Sequence, residues 1–167
     1  MNGNILEIKS YALENDVPIM MDEGISFLTD YIKSNNVKNI LEIGSAIGYS
    51  AIMMALVDPS IKVVTIERDE ERYKEAVKNV KKLNLDKQIT LIYGDALDVK
   101  IDGLFDLIFI DAAKSQSIKF FNIYSGNLND NGAIITDNLN FHGYVLMDPK
   151  EIKSRNLRAL VRKIKNY

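Results

Sequence analysis

The chain has 167 residues, 47% of them apolar and 26% charged, with 21 Lys or Arg against 23 Asp or Glu. That composition describes one globular domain with a full core rather than a disordered chain. The absence of cysteine excludes disulfides, zinc–thiolate and iron–sulfur sites and a thiol nucleophile, and the single histidine, His142, excludes a multi-histidine metal site within one chain. Any metal must sit on oxygen ligands. No apolar run approaches the roughly 20 residues of a membrane helix. The start MNGNILEIKSY has no basic segment ahead of an apolar one, so it is no secretory signal, and a cytoplasmic protein is expected. Charge is unevenly placed: residues 150–167 hold seven Lys or Arg and one Glu, so from a total of −2 the rest of the chain carries −8.

Residues 4–14 and 22–33 have helical periodicity, the second with Ile25, Leu28, Thr29 and Ile32 on one face. Asn15-Asp16-Val17-Pro18 separates them, because the residue before a proline avoids helix. Alternation then begins. KNILEIG (38–44) is a buried strand stopped by glycine, Tyr49 to Val57 a helix, and KVVTIE (62–67) a second strand. Glu70 to Leu83 is an amphipathic helix with Tyr73, Ala76, Val77 and Val80 on one face. ITLIYG (89–94) is a third strand and FDLIFID (105–111) a fourth, nearly all apolar and so buried on both faces. Residues 115–125 form a helix, Asn129 to Gly132 a turn, 133–137 a fifth strand and 150–165 a last helix. Strands alternating with helices predict an α/β fold, a Rossmann-like, doubly wound, mostly parallel sheet. The whole chain, 1–167, forms one domain, with N-terminal helices over 1–34 and the α/β core over 38–167.

Ligands in such folds bind at the carboxyl ends of the strands. Each strand here ends in, or beside, an acidic residue: Glu42 before Gly44, then Glu67, Asp95 after Gly94, Asp111, and Asp137-Asn138. A glycine at 44 admits close approach to the backbone. The dinucleotide fingerprint fails, because Ala46 and Tyr49 stand where glycines are needed, and the phosphate-binding loop lacks its lysine. Glu42, an anion beside the loop, disfavours a pyrophosphate and suits a ligand with an ammonium group. Glu67 can accept from both ribose hydroxyls and Asp95 from an exocyclic amine. An adenosine with a cationic amino-acid tail satisfies all three, which describes S-adenosylmethionine. The competing reading is ordinary strand-end turns with solvated acids.

If the fourth and fifth strands are neighbours, Asp111, Asp137 and Asn138 bring three side-chain oxygens together, a donor set for a hard cation such as Mg²⁺. Lys114, where the chain turns toward the next helix, is then a candidate general base, since a nearby cation depresses its pKa. The alternative makes the two aspartates turn formers and Lys114 a solvated surface residue.

The segments ILEIGSAIGYSA, TIERDEERYKEAVKNVKKLNL, YGDALD, FDLIFIDAAK and GAIITDNLNFHG, in this order, resemble the metal-dependent O-methyltransferases of the catechol and caffeoyl-CoA type over about residues 15 to 165. Within that family NDVPIM and ITDNLNFHGYV are most similar to the bacterial enzymes that methylate 5-hydroxyuridine at the tRNA wobble position to 5-methoxyuridine. The resemblance implies that Met20, Gly44, Ser50, Glu67, Asp95 and Asp111 contact S-adenosylmethionine. It also implies that Asp111, Asp137 and Asn138 bind Mg²⁺ or a similar ion, that Lys114 and Asp111 are catalytic, and that the protein is a homodimer. Family members continue into an antiparallel hairpin with a G-D-G motif, so the core is expected to be C-terminally incomplete here.

Metal chemistry does not separate a 5-hydroxyuracil from a catechol, as both offer adjacent oxygens. The basic tail bears on the choice. Arg155, Arg158, Arg162 and Lys165 fall at helical spacing opposite Leu157, Leu160, Val161 and Ile164, a stripe that can hold tRNA phosphates or simply face solvent. His142, Phe141 and Tyr144 follow the fifth strand and are read as loop and packing residues, the alternative being that His142 lines the substrate pocket and the two aromatics stack on a base. The rival readings are a small-molecule phenol methyltransferase and a nucleoside-binding module without chemistry.

Overall fold

A computed structural model describes residues 3–112 and 116–137. Its elements in chain order are α1 (Gly3–Glu14), α2 (Asp22–Ser34), β1 (Asn39–Ile43), α3 (Tyr49–Ala55), β2 (Lys62–Glu67), α4 (Glu70–Lys82), β3 (Ile89–Tyr93), β4 (Phe105–Ile110), α5 (Ser117–Tyr124) and β5 (Leu128–Thr136), with a 3-10 turn at Ser125–Asn127. The expected last helix and its basic stripe lie outside the described residues, as do Lys114, Asn138 and His142.

The five strands form one sheet in the order β3-β2-β1-β4-β5, every neighbouring pair parallel. Chain order reverses at β1, which lies between β2 and β4, so the switch point opens at the end of β1. The pleat splits the core in two. Ile40, Leu107 and Phe109 face a layer built by Ile5, Ile8, Ile25, Leu28, Ile32, Ile52 and Val80 from α1 to α4. Leu41, Ile43, Ile108 and Ile110 face the other way, onto Phe120 and Tyr124 of α5. Asp69 caps α4 by accepting from Arg72 N–H at 3.0 Å, and Asp16, at φ 51°, makes the turn that ends α1.

The turn expected at Asn129–Gly132 lies inside β5. Phe105 pairs with Leu128 and Leu107 with Ala133, so one residue of β4, Asp106, faces a four-residue excursion of β5. Asp106 organises it. Its Oδ1 accepts from Asn129 Nδ2 at 2.6 Å, and its Oδ2 accepts from the backbone N–H groups of Lys38 and Asn39, each at 2.9 Å, where β1 begins. Two ion pairs tie α1 down, Lys82–Glu7 from α4 and Lys9–Asp22, at 2.5 Å, from α2. Among the described residues no helix is long and apolar enough to cross a membrane.

Candidate active site

The first turn of the fold is built from left-handed positions. Gly44, Ala46 and Gly48 have φ of 97°, 44° and 81°. Glycine at 44 is demanded twice over: a Cβ there would lie 2.6 Å from the backbone oxygen of Asp111. The close approach at Gly44 is therefore to the end of β4. Gly44 and Asp111 join β1 to its two neighbours, Gly44 N–H donating to Ile66 O at 2.9 Å and Asp111 N–H to Ile43 O at 2.9 Å. At Ala46 the left-handed backbone is held by an N–H that donates to Glu67 Oε2 at 2.8 Å.

Beside this turn lies a cleft of about 600 Å³, within the range of small-molecule sites. Of the residues singled out in the sequence, Met20, Gly44, Ser50, Glu67, Asp95, Asp111 and Asp137 all line it. The strand order spreads them along it: Asp95 beyond β3, Glu67 at the end of β2, Gly44 beyond β1, Asp111 beyond β4 and Asp137 beyond β5. Ile110 pairs with Thr136, so the two aspartates follow one register position. Pro18 to Met21, between α1 and α2, with Glu23 and Gly24 of the first turn of α2, supply another wall.

Two of these acidic side chains also have partners within the protein. Glu67 accepts from Asp69 N–H at 2.8 Å with its other oxygen, so one carboxylate holds the loops after β1 and β2, and each oxygen retains a second lone pair. Asp95 accepts from Leu97 N–H at 2.9 Å and faces Arg68 across 3.7 Å. Its loop is held from α5, where Tyr124 Oη donates to Ala96 O at 2.7 Å, and burial pushes that phenol up to about 12.

Glu42 is placed differently from the expectation. It is 0% exposed and is not among the residues lining the cleft, so it does not meet a ligand's ammonium group directly. It stands one residue before the strand ends and shares a face with Ile40, which turns it toward Ser50 Oγ and Thr65 Oγ1. Both hydroxyls donate to it at 2.5 Å. Burial pushes its carboxyl up to about 7, against the pull of the two hydroxyl donors, with the negative charges of Asp111 and Glu67 adding to the rise. Its route to the cleft is Ser50, whose hydroxyl donates a hydrogen bond to it and keeps its own lone pairs.

Sequence reasoning missed four contributors. Among the described residues, Ser45 Oγ, Tyr49 Oη and Gln116 Oε1 are the buried side-chain polar atoms without a hydrogen-bond partner, and all three residues line this cleft. Buried polar atoms are normally paired, so three orphans in one cleft fit a polar ligand. Only the fold reveals them, since serine, tyrosine and glutamine carry no signal in isolation. The fourth is Asn79, buried on α4, whose Nδ2 donates to Ile47 O at 2.9 Å and props the turn from below. Its position three residues after Ala76 was the available signal. Replacing Asn79 by alanine should lower stability by about 1–2 kcal/mol, seen in urea melts, because the turn loses a buried hydrogen bond.

For a cation, the donors in view are the carboxylates of Asp111 and Asp137, a set that suits hard oxygen-seeking ions. Among the described residues no group of three or more His, Cys, Asp or Glu gathers to hold a metal. The third expected ligand, Asn138, lies outside them.

The sequence pattern of the O-methyltransferase family matches residues 4–166. A caffeoyl-CoA O-methyltransferase of Medicago sativa is 32% identical over 137 residues, 77% of this chain and 55% of its own. A flavonoid 3',5'-methyltransferase of Vitis vinifera is 30% identical over 152 residues, 86% of this chain and 63% of its own. The chain thus spans less than two thirds of the length of these relatives. Among solved structures, a Staphylococcus aureus protein provisionally described as a caffeoyl-CoA O-methyltransferase is 42% identical, with a TM-score of 0.87 over 99% of this chain and 80% of that one. An O-methyltransferase of Bacillus cereus in complex with SAH is 25% identical, with a TM-score of 0.86 over 99% of this chain and 78% of that one.

Proposed function

The chain belongs to the O-methyltransferase family, and on that premise we propose that its cleft takes S-adenosylmethionine and that the methyl group passes to a hydroxyl oxygen bound near Asp111 and Asp137. The observation that carries this reading is the line of carboxylates at successive strand ends along one cleft that also holds three orphaned polar atoms. When bound, S-adenosylmethionine supplies an electrophilic methyl on a sulfonium. Asp95 and Glu67 orient its adenosine, the latter through lone pairs not used by the backbone. The turn at Gly44 to Ser50 carries the amino-acid part, and the backbone contact of Gly44 with Asp111 keeps it close to the acceptor side. Asp111 and Asp137, with Asn138, are the residues to hold a divalent cation such as Mg²⁺, which when bound lowers the pKa of an acceptor hydroxyl. Lys114 is the residue to take that hydroxyl's proton.

The finer reading is that the acceptor is 5-hydroxyuridine at the tRNA wobble position. The similarity of NDVPIM and ITDNLNFHGYV supports it, as does the basic run with Arg155, Arg158, Arg162 and Lys165. The second reading, a small phenol of the catechol or caffeoyl-CoA kind, is supported by what the curated relatives are named for. A cytoplasmic homodimer belongs to the same proposal, with Leu13 and Phe27, 82% and 62% exposed on α1 and α2, as candidate contacts.

The test supplies methyl-labelled S-adenosylmethionine and Mg²⁺ with either tRNA bearing wobble 5-hydroxyuridine or a catechol. Label entering tRNA, and lost on adding a chelator, is the expected result. Label entering the catechol alone would replace the acceptor and leave the basic run a solvated face. Binding of the cofactor without transfer to either would favour a module without chemistry.

A further inference from the structure

The excursion of β5 holds an asparagine followed by a glycine. Asn131 and Gly132 lie between the Leu128–Phe105 and Ala133–Leu107 pairings, out of register with β4, and β5 is the outer strand of the described sheet. Asn131 is exposed, and among the described residues its amide has no hydrogen-bond partner. Asparagine is the least durable of the neutral side chains, and glycine after it removes the Cβ that would keep the next main-chain nitrogen away from the side-chain carbonyl carbon.

The other described asparagines are tied or crowded. Asn129, in the same excursion, gives its amide to Asp106 at 2.6 Å. Asn127 donates to Ile101 O and Gly103 O, each at 3.0 Å. Asn15, Asn35 and Asn79 each donate to a main-chain carbonyl. Asn4, Asn36, Asn39, Asn84 and Asn122 precede Ile, Val or Leu, whose branched side chains crowd the nitrogen that would attack.

We propose that Asn131 is a self-modification site, converted with water as the sole co-reactant to aspartate and isoaspartate, and that this conversion limits the lifetime of the native sheet. The Gly132 nitrogen gives up its proton and bonds to Asn131 Cγ. The Cγ–Nδ2 bond breaks, ammonia leaves, and a cyclic imide remains. Water then opens the ring. Cleavage of the Cγ–N bond gives aspartate; cleavage of the main-chain carbonyl–N bond gives isoaspartate, with the chain now running through the side chain. Nothing is oxidised or reduced.

Either product adds a negative charge to a pocket of about 370 Å³ already lined by Asp106 and Asp130. Asp106 is the carboxylate that fastens the beginnings of β1 and β5. Isoaspartate also lengthens the main chain by one carbon between Leu128 and Ala133, where Leu128 packs so closely on Gly132 that a Cβ there would lie 2.8 Å from its Cδ1. The inference is independent of what the cleft binds.

The experiment incubates the complete folded chain, with its Asn131→Gln and Asn131→Asp variants, in mildly alkaline buffer. Peptide mass spectrometry and an enzymatic isoaspartate assay follow conversion, and urea melts follow stability. Ammonia loss and isoaspartate are expected at Asn131 at least about tenfold faster than at Asn129. Asn131→Gln, which closes the larger ring slowly, should stay unconverted at that position and keep its urea midpoint. Aged wild type should melt at lower urea than fresh wild type, and lower than fresh Asn131→Asp, which has the charge without the added carbon. Asn131 left intact in the folded chain while the urea-unfolded chain converts would show that the strand protects it and would overturn the proposal. Conversion first at Asn127 or Asn129 would overturn it as well, and conversion at Asn131 with an unchanged midpoint would overturn the claim on the sheet's lifetime.

Discussion

Replacing Gly44 by alanine is expected to cost about 3 kcal/mol of stability and about a hundredfold in affinity for S-adenosylhomocysteine. Two effects add. The backbone at φ 97° is one that a side chain strains to adopt. The new Cβ would also stand 2.6 Å from the Asp111 carbonyl oxygen, 3.0 Å from its carbon and 3.2 Å from Ala112 Cα. These are backbone atoms in a paired strand end, so no rotamer change relieves the clash. The strand ends must part, and the parting falls between the cofactor side of the cleft and Asp111. Gly103→Ala is the matched control. Its φ of 100° is similar, but nothing lies within 4 Å of the added carbon, so about 1 kcal/mol is expected with affinity unchanged. Denaturant melts and calorimetry on both variants test this; comparable losses at 44 and 103 would show that conformation alone, not the contact with Asp111, sets the requirement.

Glu42 yields the second large effect, and its sign depends on pH. Its folded pKa, about 7, lies above the ordinary 4.5, so the folded protein holds this proton more tightly than the unfolded chain. Stability from this group is full below pH 4.5 and is lost as pH rises toward 7, after which the loss is constant. At 1.36 kcal/mol per pKa unit the span is about 3 kcal/mol. Glu42→Gln removes the charge, accepts from one hydroxyl and donates to the other. Its stability relative to wild type should therefore climb between pH 4.5 and 7, by up to that amount. Glu42→Leu also removes the charge but strands the hydroxyls of Ser50 and Thr65, so at pH 5 it should be about 2–5 kcal/mol less stable than wild type. Parallel urea titrations of the three proteins at pH 5 and pH 8 check this. A Glu42→Gln difference that does not change with pH would refute the buried, proton-holding carboxyl.

The strands were legible because each is a short apolar run with a hard stop, and the parallel sheet followed from their alternation with amphipathic helices. The carboxylates at their ends were legible for the same reason: Asp95, Glu67, Asp111 and Asp137 fall just where each run stops, and all four line the cleft. Glu42 shows the resolution of that argument. It is one residue inside its strand, and the two-residue period of the pleat sends it to the layer shared with Ile40, behind the cleft. The excursion in β5 was read as a turn before a strand, because Asn129 to Gly132 has turn chemistry; pairing of Leu128 with Phe105 was needed to see that the strand had already begun. Tyr49, Ser45 and Gln116 were illegible for a different reason. What marks them is a missing partner, and partners are a property of the folded chain.

Asp106 and Asp111 stand at opposite ends of β4. One fastens the beginnings of β1 and β5 to the strand, while the other faces the cleft. The strand thus carries a carboxylate that anchors the sheet at one end and a carboxylate that faces the cleft at the other, where Asp111 joins the sheet through its backbone. Side chains that line the cleft at one end can change while the carboxylate anchorage at the other is untouched.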